Sequence, residues 1–266
     1  MKRVLQSIYK YMIDFHDLLG SVNRLFEKAM DWRWIPRTPL FWKDYHGTYR
    51  QLATFEEAYP QIRKEVEAFL KESQKITDVE ELAGKYTAGG IHAIEWKSYL
   101  IKLGKFVEEN CRQCPETAKA LAKVPGVHVA FFSILFPGQY IKPHFGYYKG
   151  FLRYHLGIIV PQGNDPDAEK PCWLRINNDR EDNRSRDRTR IDAGEKYYWK
   201  EGEGVIFDDT LLHDASNESD EIRVVLWIDI RRPMPQLLGW IHGLLVSGAM
   251  LHPFLGKMRR NATVDL

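Results

Sequence analysis

Apolar residues recur at helical spacing at the start of the chain, at Leu5, Ile8, Met12, Phe15, Leu19, Val22 and Phe26, and this predicts an amphipathic helix over residues 1 to 30. An aromatic, proline-punctuated connector follows at 31 to 50, then a helix from Gln51 to Glu72. The stretch from Thr77 to Leu103 is mixed, with a Gly89-Gly90 turn and a short strand at His92 to Trp96. Helical signals return from Lys105 to Ala122, with a break at Pro115, and Pro125-Gly126 ends them. From Val127 to Ile230 the pattern turns to strands. His128 to Leu135 reads as one strand, Pro137-Gly138 as a turn and Leu152 to Val160 as a longer strand. Tyr197 to Trp199 and Gly204 to Asp208 come next, joined through Gly202 and Gly204 as a hairpin, and a β-prone run from Ile222 to Ile230 closes the series. Between Pro233 and Gly256 there is no charged residue, and leucines and isoleucines at 237, 241, 244, 245, 251 and 255 predict a C-terminal helix.

This pattern gives a mainly β fold with flanking helices and three regions. Residues 1–114 are helical and connecting, 115–235 form the β unit, and 236–266 form an apolar helix and tail. Cys111, Cys114 and Cys172 make no disulfide framework, and the lone Cys111/Cys114 pair lacks the second pair a zinc site would need. That composition suits a reducing cytoplasm. A net charge of +2 singles out no acidic partner. The run from Arg175 to Arg190 holds six arginines and four acids and reads as a solvated or mobile loop. Its alternative role is a lid meeting anionic groups on a substrate. No aromatic residues interleave it, so nucleic acid is not an expected partner.

The chemistry concentrates in two stretches, His144 to Pro161 and Phe207 to Pro233. His144, His155 and His213 offer imidazoles, a common ligand type for divalent iron, and an oxygenase iron needs open positions. Arg153 and His155 lie two apart and share one face of a strand. Arg223 sits on the β-prone run, where a guanidinium could hold a carboxylate bidentately. Taken singly, each is an ordinary strand residue. Together they would line a barrel interior with a set that is costly unless an anion or a metal occupies it. Asp208 and Asp209 read as turn residues, with the orienting of a metal ligand as their alternative role, and neither is assigned to the metal.

The blocks FSILFPGQYIKPH (132–144), LRYHLGIIVP (152–161), CWLRI (172–176), FDDTLLH (207–213) and the Arg223 to DIRRP ending resemble the aspartyl/asparaginyl β-hydroxylase family. RYHLG, FDDTLLH and DIRRPM are also similar to the bacterial lipid A hydroxylases. The resemblance covers roughly residues 115 to 235. It implies a double-stranded β-helix, a cupin-like jelly roll, and an Fe(II)- and 2-oxoglutarate-dependent dioxygenase that hydroxylates an unactivated C–H bond. The substrate would be an Asp or Asn side chain in a peptide or small molecule, or a lipid acyl chain. By the same resemblance His144 and His213 would hold the iron, and Ser133, Arg153, His155 and Arg223 would hold 2-oxoglutarate, with Arg223 on its distal carboxylate. Dioxygen is the other partner implied.

One position departs from the wider oxygenase pattern. A carboxylate usually lies two residues after the first histidine, and here that residue is Gly146. Hydroxylation with water in the carboxylate's place stays first. A halogenase with chloride there and a non-catalytic cupin-fold binding protein are the alternatives. The terminal helices are expected to pack on the barrel, or to touch a membrane surface through the C-terminal helix and its basic edge at Lys257, Arg259 and Arg260. The expected location is therefore the cytoplasm, with a peripheral membrane contact left open.

Overall fold

The computed structural model describes residues 2–71, 77–78, 96–163, 169–251 and 256. Among these, the helices are α1 (Lys2–Asp31), α2 (Ala53–Glu57), α3 (Tyr59–Lys71), α4 (Glu108–Gln113), α5 (Pro115–Ala122), α6 (Arg180–Ser185) and α7 (Gln236–Met250). The strands are β1 (Thr77–Asp78), β2 (Trp96–Leu103), β3 (Lys105–Phe106), β4 (Val129–Leu135), β5 (Tyr140–His144) and β6 (Phe151–Ile159), followed by β7 (Cys172–Asn177), β8 (Glu195–Tyr198), β9 (Gly204–Phe207), β10 (Leu212–Asn217) and β11 (Arg223–Arg231). They form a major sheet in the order β1-β2-β4-β11-β6-β9, with β3 on β2, and a minor sheet in the order β5-β10-β7-β8. Every ladder between named strands is antiparallel.

Period-2 alternation sorts the strand residues into two cores. Leu152, Tyr154, Leu156 and Ile158 of β6 join Val224, Leu226, Ile228 and Ile230 of β11 and pack under Phe55, Ile62, Val66 and Phe69 of α2 and α3. The intervening residues turn inward between the sheets. Leu135, Val205, Phe207 and Val225 meet Ile141, Cys172, Leu174, Ile176, Ala215, Tyr197 and Trp199 there. This is the jelly-roll arrangement, with one apolar lumen between two facing sheets. A one-residue slip of β6 or β11 would exchange the two cores, so burial on both faces fixes the register.

The β pattern and the break at Pro115 match expectation; Lys105–Phe106, expected to open the helical stretch, form β3 instead, and four further details differ. The strand expected at His92 to Trp96 runs Trp96–Leu103 instead, paired to β4. Residues 92–95 and the Gly89-Gly90 turn lie outside the described residues, as do the basic positions 257, 259 and 260. The expected 51–72 helix is broken near Ala58 into α2 and α3 after a short 3-10 turn at Arg50–Leu52. Gly202, at φ +74°, makes a turn between strands of different sheets, not a hairpin within one. The arginine-rich run is the largest departure, because it is ordered. Asp179 caps α6 by accepting from the backbone N–H groups of Glu181 and Asp182, and a 3-10 segment, Arg188–Ala193, follows. Ile191 of that segment packs with Phe145 and Leu212, and Asn183 Oδ1 accepts from Leu212 N at 2.7 Å. Short polar side chains that bond neighbouring backbone read as loop by composition, yet here they build the element.

Candidate active site

His144 ends β5 and His213 opens β10, and the ladder pairs them directly. Their rings lie 4.1 Å apart, centroid to centroid, tilted by 50°. His144 Nδ1 is 2.8 Å from Lys142 O, and His213 Nδ1 is 2.8 Å from Leu211 O. A carbonyl only accepts, so each Nδ1 carries the proton and each Nε2 keeps its lone pair. Burial pushes both imidazoles below the ordinary histidine range, His213 to about 4, so both are neutral at pH 7. Two neutral imidazoles, each oriented by a backbone acceptor, are a donor set suited to a divalent transition metal. Among the described residues, no group of three or more His, Cys, Asp or Glu side chains is arranged to hold a metal.

The position beside Gly146 is filled by the turn that leads into the neighbouring strand β10. A Cβ built on Gly146 would run into Asp209 Oδ2 and would lie 2.6 Å from its Cγ and 2.8 Å from its backbone oxygen. Gly146 N also donates to Asp209 O at 2.7 Å. Glycine is therefore required at this close approach. The Asp209 carboxylate lies 2.8 Å from Arg153 Nη2. Arg153 in turn donates to Asp229 Oδ1 from Nε and Nη2 at 3.2 and 3.1 Å and stacks on Trp227 at 3.4 Å. Burial raises both carboxyls against the pull of Arg153, Asp229 to about 6. Arg153 thus shares the inward face with His155, as its spacing predicts, but comes with its own anionic partners.

Deeper in the lumen the balance changes. Arg223 is 2% exposed. Its Nη1 reaches Ser133 O at 3.4 Å, its guanidinium lies 4.9 Å from the Trp199 ring, and its Nε has no hydrogen-bond partner. Among the described residues, no carboxylate lies within ion-pair distance of it. Burial lowers its pKa to about 10, so it is still a cation at pH 7. Both ring nitrogens of His155 are buried and unpartnered, with Phe207 edge-on at 5.0 Å. Ser133 is buried and accepts from Trp96 Nε1 at 2.9 Å. A buried cation beside orphaned polar atoms is an expensive arrangement that an anionic ligand would complete. His144, Gly146 and Arg153 keep partial exposure, while Ser133, His155 and Arg223 are buried, so the lumen opens at the His144 end.

All six residues singled out from the sequence line this one lumen. Asp229, Trp199 and Trp227 were not singled out, and Asp209 was read as a turn residue without a place in the lumen. Asp229 and Trp227 were within reach, since 223, 225, 227 and 229 share a strand face. Asp209 was not, because its contact with Gly146 joins two turns distant in sequence.

The aspartyl/asparaginyl beta-hydroxylase family model matches residues 56–233. The ornithine lipid ester-linked acyl 2-hydroxylase of Rhizobium tropici is 32% identical over 210 residues, 79% of this chain and 67% of that protein. The aspartate beta-hydroxylase domain-containing protein 2 of Homo sapiens is 29% identical over 209 residues, 75% of this chain, and the chain spans only 48% of that relative. A Pseudomonas putida prolyl-4-hydroxylase structure superposes with a TM-score of 0.40 at 14% identity, over 66% of this chain and 88% of that one. With the family match spanning most of the chain and two named hydroxylases among its relatives, this chain belongs to the aspartyl/asparaginyl β-hydroxylase family.

Proposed function

We propose that the chain is an Fe(II)- and 2-oxoglutarate-dependent dioxygenase that hydroxylates an unactivated C–H bond, with a lipid acyl chain as substrate. The observation that carries the proposal is Arg223, a buried cation without a carboxylate partner, deep in a lumen whose mouth holds two neutral imidazoles. His144 and His213 would hold the metal through Nε2. Arg223, with Ser133 beside it, would take the distal carboxylate of 2-oxoglutarate, a pairing of planar fork and carboxylate that fixes orientation as well as affinity. When bound, iron and 2-oxoglutarate supply oxidative decarboxylation with dioxygen, giving succinate, carbon dioxide and an oxygen atom for the substrate C–H bond. The protein's own part is positional. Trp199, Phe207 and Val225 keep water from the deep end of the lumen, and Arg153, clamped by Asp209 and Asp229, shapes the mouth.

Two observations bear on the alternatives. The space beside Gly146 is already occupied by the Asp209 carboxyl group and backbone oxygen, which leaves chloride no place there and disfavours halogenation. A cupin that binds only an organic ligand would have no use for paired imidazoles with free Nε2 atoms, and one that holds a metal without turnover would form no succinate in the assay below. The acyl substrate is favoured over an Asp or Asn side chain by the apolar surface around the mouth and by the similarity to an acyl 2-hydroxylase. The test is oxygen-dependent succinate formation from 2-oxoglutarate with added Fe(II), in the presence of acyl lipids or of Asp and Asn peptides. Stimulation by acyl lipid is expected. No succinate under any of these conditions would refute the enzymatic assignment.

A further inference from the structure

α7 is apolar over most of its surface, with Gln236, His242 and Ser247 as its polar side chains and no charged residue over its 15 positions. Its inner face is accounted for. Leu238 is buried with Val22, Phe26, Ala29 and Met30 of α1 and with Ile35. His242 is buried against Tyr148 and Phe151, with rings stacked at 5.6 Å and edge-on at 4.9 Å. Its outer face is uncovered. Leu237, Trp240, Leu244 and, about two turns beyond, Leu251 are between 63% and 85% exposed. A helix face this apolar is ordinarily covered. Across the α1 seam, Leu18, the neighbouring Trp32 and Trp34, and Tyr147 are also exposed. Among the described residues these eight are all the strongly exposed large apolar side chains, and they lie on α1 and the turn after it, on the turn after β5, and on α7 and its C-cap.

α1 and α7 both reach the mouth of the lumen. Asn23 of α1 donates to Tyr147 O and accepts from Lys149 N, and His242 of α7 holds Tyr148 at 3.0 Å. Both helices thus clasp the 145–150 turn that leaves His144. The charges of α1 and of the turn after it are unbalanced in one direction. Glu27 and Asp31 are engaged by Arg37, Lys149 and Arg180. Arg24, Lys28 and Arg33 are exposed and, among the described residues, have no carboxylate partner, leaving Asp17 as the one unpaired acid between 17 and 31.

We propose that the outer face of α7, the Trp32–Trp34 turn and the basic stripe of α1 together dock on the surface of a lipid bilayer containing anionic headgroups. Tryptophans suit the boundary between acyl chains and headgroups, and unpaired cations suit anionic lipid. No described helix is long and apolar enough to cross a membrane, and the proposed contact runs along the bilayer surface. A second copy of the chain fits less well, because two-fold pairing would set the same unpaired cations close together. Docking would bring the open lumen to the lipid surface, a consequence that rests on the acyl substrate proposed above.

The test is flotation of the purified full chain with vesicles of phosphatidylcholine alone or mixed with phosphatidylglycerol. Binding to the mixed vesicles is expected, weakened by salt. Joint replacement Arg24→Ala, Lys28→Ala and Arg33→Ala should weaken it about a hundredfold. Trp240→Glu with Leu244→Glu, both on exposed positions, should abolish it while leaving the melting temperature unchanged. Absence of wild-type binding, or equal binding by either variant, overturns the proposal. A wild-type dimer that the Trp240→Glu, Leu244→Glu variant converts to monomer, without vesicle binding by either, overturns it in favour of self-association. His213→Ala separates the two assignments, since it should stop turnover and leave flotation intact. Vesicle binding without lipid-stimulated succinate formation would keep the docking surface and sink the acyl substrate.

Discussion

Replacing Arg223 by Met separates a ligand-holding cation from a structural one. The substitution keeps a long side chain and removes a charge that meets only Ser133 O and the Trp199 ring. Since no described carboxylate pairs with that charge, its loss leaves no buried anion stranded, and the ligand-free protein should change by less than about 1.5 kcal/mol. Ligand binding should change far more. Truncating one partner of a buried charge pair costs about 2–5 kcal/mol, which is about thirty- to several-thousand-fold in half-saturating 2-oxoglutarate. Thermal melting with metal under anaerobic conditions reads both terms. At a ligand concentration about 100 times Kd, the wild type gains about 2.7 kcal/mol, or roughly 5–10 °C for a chain of this size. Arg223→Met should melt near the wild type without ligand and show almost none of that gain. A variant that melts far lower without ligand, yet keeps the full shift with 2-oxoglutarate, would make Arg223 a structural residue and refute the argument.

Three further perturbations follow from other parts of the molecule. Gly146→Asp should not rebuild a metal triad, because the new side chain meets both the carboxylate and the backbone oxygen of Asp209; soluble yield and Fe(II) affinity should fall and recover partly with Asp209→Gly, and tighter Fe(II) binding by the single variant would contradict this. Asp179→Ala removes the cap on α6 and should cost about 1 kcal/mol, read as a drop of a few degrees in melting temperature, whereas no drop would mean the insert is held by its other contacts alone. Burial lowers His242 from the ordinary 6.5 to about 4, with Arg231 and His128 adding to the shift. Between those values the undocked helix takes a proton that the docked helix refuses, so α7 docking is full above about 6.5 and is lost as pH falls toward 4. Melting of the wild type should therefore drop more between pH 7 and pH 5 than melting of His242→Phe, and equal drops would remove His242 from that role.

The lumen was legible in the sequence wherever alternation alone decides a side chain's direction. Arg153 and His155 on β6 and Arg223 on β11 face inward for the same reason that Leu152, Tyr154 and Leu226 face the helices. His144 and His213 were legible by residue type and by family blocks, and their pairing across β5 and β10 adds the geometry. The insert from Asn177 to Gly194 was misread because its stability comes from caps and backbone bonds made by Asp179, Asn183 and Asp187. Composition scores those residues as loop. The filling of the Gly146 space by Asp209 is a tertiary contact between turns, and no local periodicity announces it. The outer face of α7 was visible as an uncharged run, but its adjacency to Trp32, Trp34 and the mouth depended on how α1 packs.

The central claim is that His144 and His213 together hold a divalent iron whose site is completed by 2-oxoglutarate. The most direct measurement is anaerobic calorimetric titration of the purified protein with Fe(II), with and without 2-oxoglutarate, on the wild type and on His144→Ala with His213→Ala. One Fe(II) per chain, bound more tightly in the presence of 2-oxoglutarate and lost in the double variant, is the predicted result. Wild-type protein that binds no iron, or a double variant that binds it as the wild type does, would contradict the account.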